Sequence, residues 1–363
     1  MSEARSTRFA QDELDAFSRR LLAALGADEP TCDAATRAMM HASRIGVDSH
    51  GVRLLPHYAA VLAGGRVNRQ PKLAFSSARS AVATLHADHA HGALATFTAM
   101  ERAIELSRRF GIGAVSIRDS SHFGAAGVYA LEAAENGVIG MATCNSDSFV
   151  RLHGGAERFH GTNPIAVGVP VAGERPWLLD MATSAIPYNR VQLYRSLGVA
   201  LPEGTASTPE GRDTTSATEA EMLAPLGAAF GFKGAALAGV AEILSAVLAG
   251  MRLSFEIAPM PGPDLETPRG MGAFVLAIDP EAFISRAEFD AGMRRYLARL
   301  RSSDRADEGD VMAPGDREWR EAERRAVEGI PVDTETVKAF GALAERYRLE
   351  VPPTMQPRRR PRV

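Results

Sequence analysis

The stretch Ile112–Ser146, IGAVSIRDSSHFGAAGVYALEAAENGVIGMATCNS, passes from a β-rich run to a helical one and back. IGAVSIRDS and VIGMATCNS read as strands, and AGVYALEAAENG between them reads as a helix closed by glycine. That order argues for an α/β layer built on one sheet. The alternation extends in both directions: SAVATLH (80–86) predicts a strand, GALATFTAMERAIELSRRFG (92–111) a helix, and PIAVGVPV (164–171) and PWLLDMAT (176–183) two further strands. A polar, turn-rich segment from Pro202 to Glu219 predicts a loop. Beyond it lie a Gly/Ala-rich helix from Lys233 to Ala249, a strand from Ala273 to Ile278, and mostly helices. Upstream, Thr31 to Arg44 predicts a helix capped by Thr31 and broken at Gly46. A second helix is predicted from about Val52, with Leu54, Tyr58, Val61 and Leu62 on one side and Pro56 early enough to be tolerated. His50 is thereby placed at a helix N-terminus. No internal repeat is visible.

Composition narrows the function classes. The chain has 363 residues, 45% hydrophobic and 23% charged, which suits one large or two modest globular domains with a sizeable core. Cys32 and Cys144 form no CxxC pair, so a disulfide framework or thiolate zinc site is not indicated, and a reducing compartment is expected. The acidic N-terminus lacks an apolar h-region, which predicts a cytoplasmic protein. GAALAGVAEILSAVLAG (234–250) has the length of an ordinary buried helix and contains Glu242, so no membrane span is expected. A net charge of −3 offers no field for a polyanion. The basic tail QPRRRPRV reads as a solvated end, and no nucleic-acid partner is expected.

Candidate chemistry is concentrated in a few loops. All nine histidines lie between His41 and His160. The densest group, HADHAHG (86–92), crosses a strand-to-helix turn and specifies no three-ligand geometry, so it reads as a polar turn with exposed histidines and no metal is expected. SSHFGAAG sets His122 directly after a strand among small residues, where sites collect in α/β sheets. A helix dipole at His50 would disfavour protonation, with Asp48 and Ser49 near enough to oppose it. Three loops, CNSDS (144–148), HGTNP (160–164) and DMATS (180–184), offer backbone amides, hydroxyls and amide side chains suited to phosphate, ribose or carboxamide groups. GFKGA (231–235) puts Lys233 at a helix N-terminus between two glycines, a pairing suited to an anion. The nearest match to a dinucleotide fingerprint, GIGAVS (111–116), precedes a strand and lacks its third glycine, so the standard Rossmann signal is missing.

The motifs DSHGV, SSHFGAAGVYALEAAENG, GTNP, DMATS and GFKG, in this order, resemble those of the malate/L-lactate dehydrogenase family, which also contains sulfolactate, ureidoglycolate, diketogulonate and cyclic-ketimine dehydrogenases or reductases. The resemblance runs from about Phe9 to Val351. It implies a homodimeric oxidoreductase using NAD(H) or NADP(H), of α/β class: a non-Rossmann cofactor-binding sheet domain with a helical domain formed by the N- and C-terminal segments. The corresponding division is 1–75 together with 286–363, and 76–285 with an inserted loop near 199–222.

By the same resemblance His50 and His122 are the proton-transfer candidates, with Asp147 as a carboxylate able to orient a histidine. Ser146, Asp180, Met181, Ala182 and Lys233 match cofactor positions, as does the loop containing Pro314 and Gly315. Ser49, Arg53, Leu54 and Tyr58 fall on the substrate side. One position departs from the pattern: many members carry an arginine four residues after the first histidine, where Leu54 stands here. One residue on a helix is about 100°, which turns Arg53 toward the side of His57. Either the helix start is shifted by one residue, or another group binds the acid, or the substrate is not a simple 2-hydroxy acid. The implied reaction interconverts a 2-hydroxy acid and a 2-oxo acid, with reduction of cyclic 2-imino acids as the alternative. A metal-dependent hydrolase and a non-catalytic ligand-binding relative are the competing classes.

Overall fold

The computed structural model describes residues 6–306 and 309–355, so the QPRRRPRV tail lies outside the described residues. Its centre is a seven-stranded sheet in the order Ala74–Arg79, Val82–His86, Ile112–Ser120, Met271–Ile278, Ile139–Cys144, Ile165–Val169, Trp177–Met181. Val82–His86 and Ile112–Ser120 pair in parallel, and the other neighbours are antiparallel. The two strands of the opening stretch are therefore not adjacent. Met271–Ile278, arriving late in the chain, is inserted between them.

This order decides where the loops go. Ile112–Ser120 and Ile139–Cys144 are both antiparallel to the inserted strand, so they run the same way and end at the same edge. Val82–His86 and Trp177–Met181 share that direction and also end there, while Met271–Ile278 and Ile165–Val169 begin there. One sheet edge thus gathers the loops after residues 86, 120, 144 and 181 and those before 165 and 271.

The helices Gly92–Phe110 and Gly127–Glu135 pack on the sheet through fully buried alanines, Ala99, Ala103, Ala130 and Ala133, whose small side chains let the elements approach closely. Phe97 and Tyr129 meet edge to face at 4.8 Å in the same core. A second core joins the N-terminal helices Gln11–Ala24, Glu29–Arg44 and Leu55–Gly64 to the C-terminal strand Ile330–Asp333 and helix Thr334–Tyr347.

Several boundaries differ from expectation for local reasons. The helix expected from Thr31 begins at Glu29, because the Asp28 carboxylate accepts the Thr31 N–H and takes the capping role. Ala74–Arg79 was not legible as a strand, since all six residues are exposed and no apolar alternation marks it. The 202–219 loop contains the two-residue strands Ala206–Ser207 and Asp213–Thr214, part of a five-stranded small sheet too fragmentary to leave a periodic pattern. The Gly/Ala-rich helix spans Phe232–Glu242 and continues as a π-turn, Ile243–Val247. It is not an ordinary buried helix: Ile243 is 56% and Val247 60% exposed. Among the described residues, no helix is long and apolar enough to cross a membrane.

Candidate active site

The gathered loops are tied to one another. The Thr162 N–H donates to Ser146 Oγ at 3.3 Å, and the Ser146 N–H donates to Asn163 Oδ1 at 3.3 Å, joining CNSDS to HGTNP. A Cβ on Gly161 would stand 2.2 Å from Ser146 Oγ, so this approach requires glycine. Thr183 donates its N–H and Oγ1–H to the Thr162 carbonyl, which joins DMATS. The Leu226 N–H donates to the Thr183 carbonyl, and Asn163 Nδ2 donates to the Ala238 carbonyl and to Glu242, which brings in the helix bearing Lys233. Buried Glu242 also accepts from Asn145 and from Ser254, so it anchors the ensemble from below. Lys233 is exposed at the first turn of that helix, beside the exposed rings of Phe230 and Phe232. Met181 and Ala182 are half-buried in the same group, and the Pro314 carbonyl accepts the Leu178 N–H, placing the Pro314–Gly315 turn along the strand that carries Asp180. Asp180 accepts the Gly127 N–H at the start of the Gly127–Glu135 helix, and burial raises its carboxyl to about 6.

At the same edge the histidines form a second group. His50 and His122 stack with ring centroids 5.8 Å apart and 19° between planes. Tyr58 Oη lies 2.9 Å from His122 Nδ1, and Ser49 Oγ lies 2.8 Å from His50 Nδ1. Each imidazole is thus oriented at Nδ1 by a hydroxyl. Burial lowers His50 to about 4, and burial together with His50 holds His122 well below the ordinary histidine value, so both are neutral at pH 7. Tyr58 is pushed up by burial and keeps its proton. Its hydroxyl can donate to Nδ1 or accept from Nδ1–H, so His122 is free to present Nε2 in either protonation state. A Cβ on Gly92 would stand 2.2 Å from the Ser121 carbonyl oxygen and 2.7 Å from His122 C; glycine there lets the His122 loop lie against the 86–92 turn.

The structure changes several expected roles. His50 belongs to a 3₁₀ turn, Asp48–His50, and is followed by another, Val52–Leu54; the α-helix begins at Leu55. Burial, not a helix dipole, therefore keeps His50 neutral. Asp48 does not face it, being paired with Arg325 at 2.5 and 3.0 Å. Asp147 pairs with Arg269 and accepts the Met260 N–H at 3.1 Å; its contact partner is a guanidinium, and it acts on His57 only at a distance. The 100° count does not hold through a 3₁₀ turn: Arg53 is exposed beside Asp333, in a separate groove lined by Ser43, Asp48, Val52 and residues 331–333, while Leu54 packs on the helical core. His91 is buried, not exposed; its Nδ1 accepts the Ala93 N–H and its ring meets Tyr58 edge-on at 4.3 Å. Among the described residues no group of three metal-ligating side chains occurs.

The pocket in front of His122 is lined by His57, Tyr58, Val61, Arg66, Val67, Ser121 and Arg269. Neither arginine was singled out from sequence. The signal was slight, because GGRVN and TPRGM look like ordinary turns.

The sequence pattern of the malate/L-lactate dehydrogenase family matches residues 9–340. The chain belongs to this family. It is 34% identical over 347 residues to the malate dehydrogenase of Pyrococcus abyssi (strain GE5 / Orsay), covering 93% of this chain and 94% of that protein. It is 35% identical over 319 residues to the (2R)-3-sulfolactate dehydrogenase (NADP(+)) of Chromohalobacter salexigens, covering 86% and 90%. The solved malate dehydrogenase from Pyrococcus horikoshii OT3 superposes with a TM-score of 0.86 at 29% identity over 97% of this chain and 98% of that one. The delta1-piperideine-2-carboxylate reductase from Pseudomonas syringae pvar. tomato superposes at 0.80 with 28% identity over 93% and 99%. The family's solved members share the mixed sheet described above, in agreement with the missing Rossmann fingerprint.

Proposed function

We propose that this member of the malate/L-lactate dehydrogenase family is an NAD(P)-dependent dehydrogenase interconverting a 2-hydroxy acid and a 2-oxo acid, with His50 and His122 handling the proton. The stacked pair of neutral imidazoles, each held at Nδ1 by a hydroxyl, carries this reading. In the oxidative direction a neutral imidazole accepts the hydroxyl proton as the C–H bond is broken; in the reductive direction the protonated form donates it to the carbonyl oxygen. Two stacked rings do not both hold a positive charge readily, so protonation of one keeps the other neutral.

The linked loops fit a dinucleotide. They present backbone amides, Ser146, Met181 and Ala182 around one edge, with Lys233 at a helix N-terminus where anions are favoured, and the Pro314–Gly315 turn lies against Leu178 of the strand that ends there. When bound there, the nicotinamide supplies or accepts the hydride. Lys233 would meet a phosphate, and Asp180 holds the start of the Gly127–Glu135 helix in place. Lys233→Ala is expected to weaken NAD(P)H binding roughly tenfold, the scale of one charge-assisted hydrogen bond, and to flatten its salt dependence. Nicotinamide fluorescence titrations at two ionic strengths check this; unchanged affinity would remove Lys233 from the cofactor site.

A second reading, reduction of cyclic 2-imino acids, is supported by the likeness to the piperideine-2-carboxylate reductase. Purified protein assayed with NADH and NADPH against 2-oxo acids and cyclic imines separates the two. Turnover confined to imines would replace the first reading by the second.

The cytoplasm is the compartment we propose, on the support of two buried free cysteines. The division into 1–75 with 286–363 and 76–285 belongs to the same reading. The second core supports it, although Leu297 of the helix Arg286–Arg301 packs with Val171 and Ala313 instead. A homodimer is supported by the exposed stripe Leu237, Val240, Ile243 and Val247 on the Lys233 helix and its π-turn, spaced three or four residues apart. Ile243→Asp is expected to shift the protein toward monomer in light scattering; an unchanged mass would place the interface elsewhere.

A further inference from the structure

We propose that Arg66 is the substrate's anion clamp, receiving the carboxylate of the 2-oxo or 2-hydroxy acid in place of the arginine that Leu54 replaces. This assignment rests on the dehydrogenase reading of the His122 pocket.

Arg66 follows the helix that carries His57 and Tyr58, immediately after the left-handed C-cap Gly65. Its N–H donates to the Leu265 carbonyl at 3.1 Å, and Gly64 lies so close to the same carbonyl that a Cβ would stand 2.3 Å from it. The turn is therefore pinned to the 258–265 segment. That segment holds both pocket guanidiniums: Arg66 Nη1 donates to the Met260 carbonyl at 3.0 Å, and Arg269 Nε donates to the Ala258 carbonyl at 2.8 Å.

The two arginines differ in charge balance. Arg269 is answered by Asp147, in contact. Arg66 is only 3% exposed, makes no ion pair within 4 Å among the described residues, and its buried Nε has no hydrogen-bond partner. A guanidinium does not shed its proton to escape this situation, and an unpaired buried charge is costly. The remaining lining groups offer no negative charge, since His57 and His122 are held neutral and Tyr58 keeps its proton, and the carboxylates that act on Arg66, Asp264 and Asp147, do so from beyond ion-pair distance. The pocket accordingly gives Arg66 no anion in contact. Arg66 and His122 line the same pocket, so a short acid can place its carboxylate on the guanidinium while its carbonyl or hydroxyl faces the imidazole.

The test compares full-length wild type with Arg66→Met, which keeps the stem packing and removes the charge, and with Arg66→Lys, which keeps the charge and loses the fork. For Arg66→Met we expect KM for the preferred 2-oxo acid to rise roughly ten- to a hundredfold, NADH affinity by fluorescence to stay unchanged, and Arg66→Lys to fall between. The readout independent of turnover is thermal stabilisation by oxalate, which carries carboxylates and no reducible ketone: it should be present in wild type, weak in Arg66→Lys and absent in Arg66→Met. Folded Arg66→Met with wild-type KM and a wild-type oxalate shift overturns the proposal. If Arg66→Met does not fold, an Arg66→Lys protein with both wild-type KM and a wild-type oxalate shift overturns it, and a weakened oxalate shift supports it. A wild type that turns over no 2-oxo acid but is stabilised by oxalate, with that shift lost in Arg66→Met, would leave the clamp standing and remove the dehydrogenase reading instead.

Discussion

Replacing either His50 or His122 by alanine is expected to lower kcat by about 10²–10⁴-fold, the usual contribution of a positioned acid or base, and to leave NAD(P)H affinity nearly unchanged. The expectation follows from where the rings stand. Both belong to the histidine group and neither ring is hydrogen-bonded to the loops that carry Ser146, Asp180 and Lys233. Steady-state kinetics with fluorescence titration of the cofactor measure the two effects separately. The pH dependence should follow the same chemistry: because burial holds both rings neutral, oxidation of the hydroxy acid stays active to pH values below 6.5, whereas an exposed histidine base would already be losing activity there. Near-normal turnover in both alanine variants would mean that the stacked pair is structural.

Acid is expected to destabilise the fold before most of its carboxylates are protonated; Asp180, raised to about 6, takes up its proton in the same interval and opposes the loss. His41 and His91 are buried, and burial lowers them from 6.5 to about 4 and about 3. A depressed histidine contributes stability that is complete above its unfolded value of 6.5 and is lost as the pH falls toward the folded value, because only the unfolded chain then takes up the proton. At pH 5 each of these two costs about 2 kcal/mol by the linkage relation. The pair removes a large share of a typical total of roughly 5–15 kcal/mol. His50 and His57, lowered to about 4, and His122 act in the same direction. Tm or the urea midpoint should therefore fall steeply between pH 7 and pH 5. A flat profile across that interval would show that these histidines are protonated or solvated in the folded protein.

How much of this was legible in the sequence depended on the length scale of each signal. IGAVSIRDS coincides with the strand Ile112–Ser120, and the helix predicted over 92–111 is the observed Gly92–Phe110, because long periodic runs carry their own evidence. The three loops and the lysine helix were each readable, and the sheet order explains why they meet. The insertion of Met271–Ile278 between the two strands of the opening stretch was not readable, since no local pattern encodes pairing across more than a hundred residues. The same gap hid Arg269. It sits two residues before that strand and reaches Asp147 only because the strand begins where Ile139–Cys144 ends. Arg66 was missed for a different reason: its importance lies in the absence of a partner, and an absence leaves no mark on composition or spacing. Arg53 was misplaced because 3₁₀ turns, not an α-helix, follow His50.

At this sheet edge a bound dihydronicotinamide would pass hydride to the carbonyl carbon of a small acid. The direct measurement is incubation of the purified protein with NADH or NADPH carrying deuterium at both C4 positions of the nicotinamide and a panel of 2-oxo acids, followed by mass spectrometry of the product. Wild type is expected to form a 2-hydroxy acid carrying deuterium at C2, and His122→Ala to suppress it. Failure of both cofactors to bind, or a product with no deuterium at C2, would contradict it.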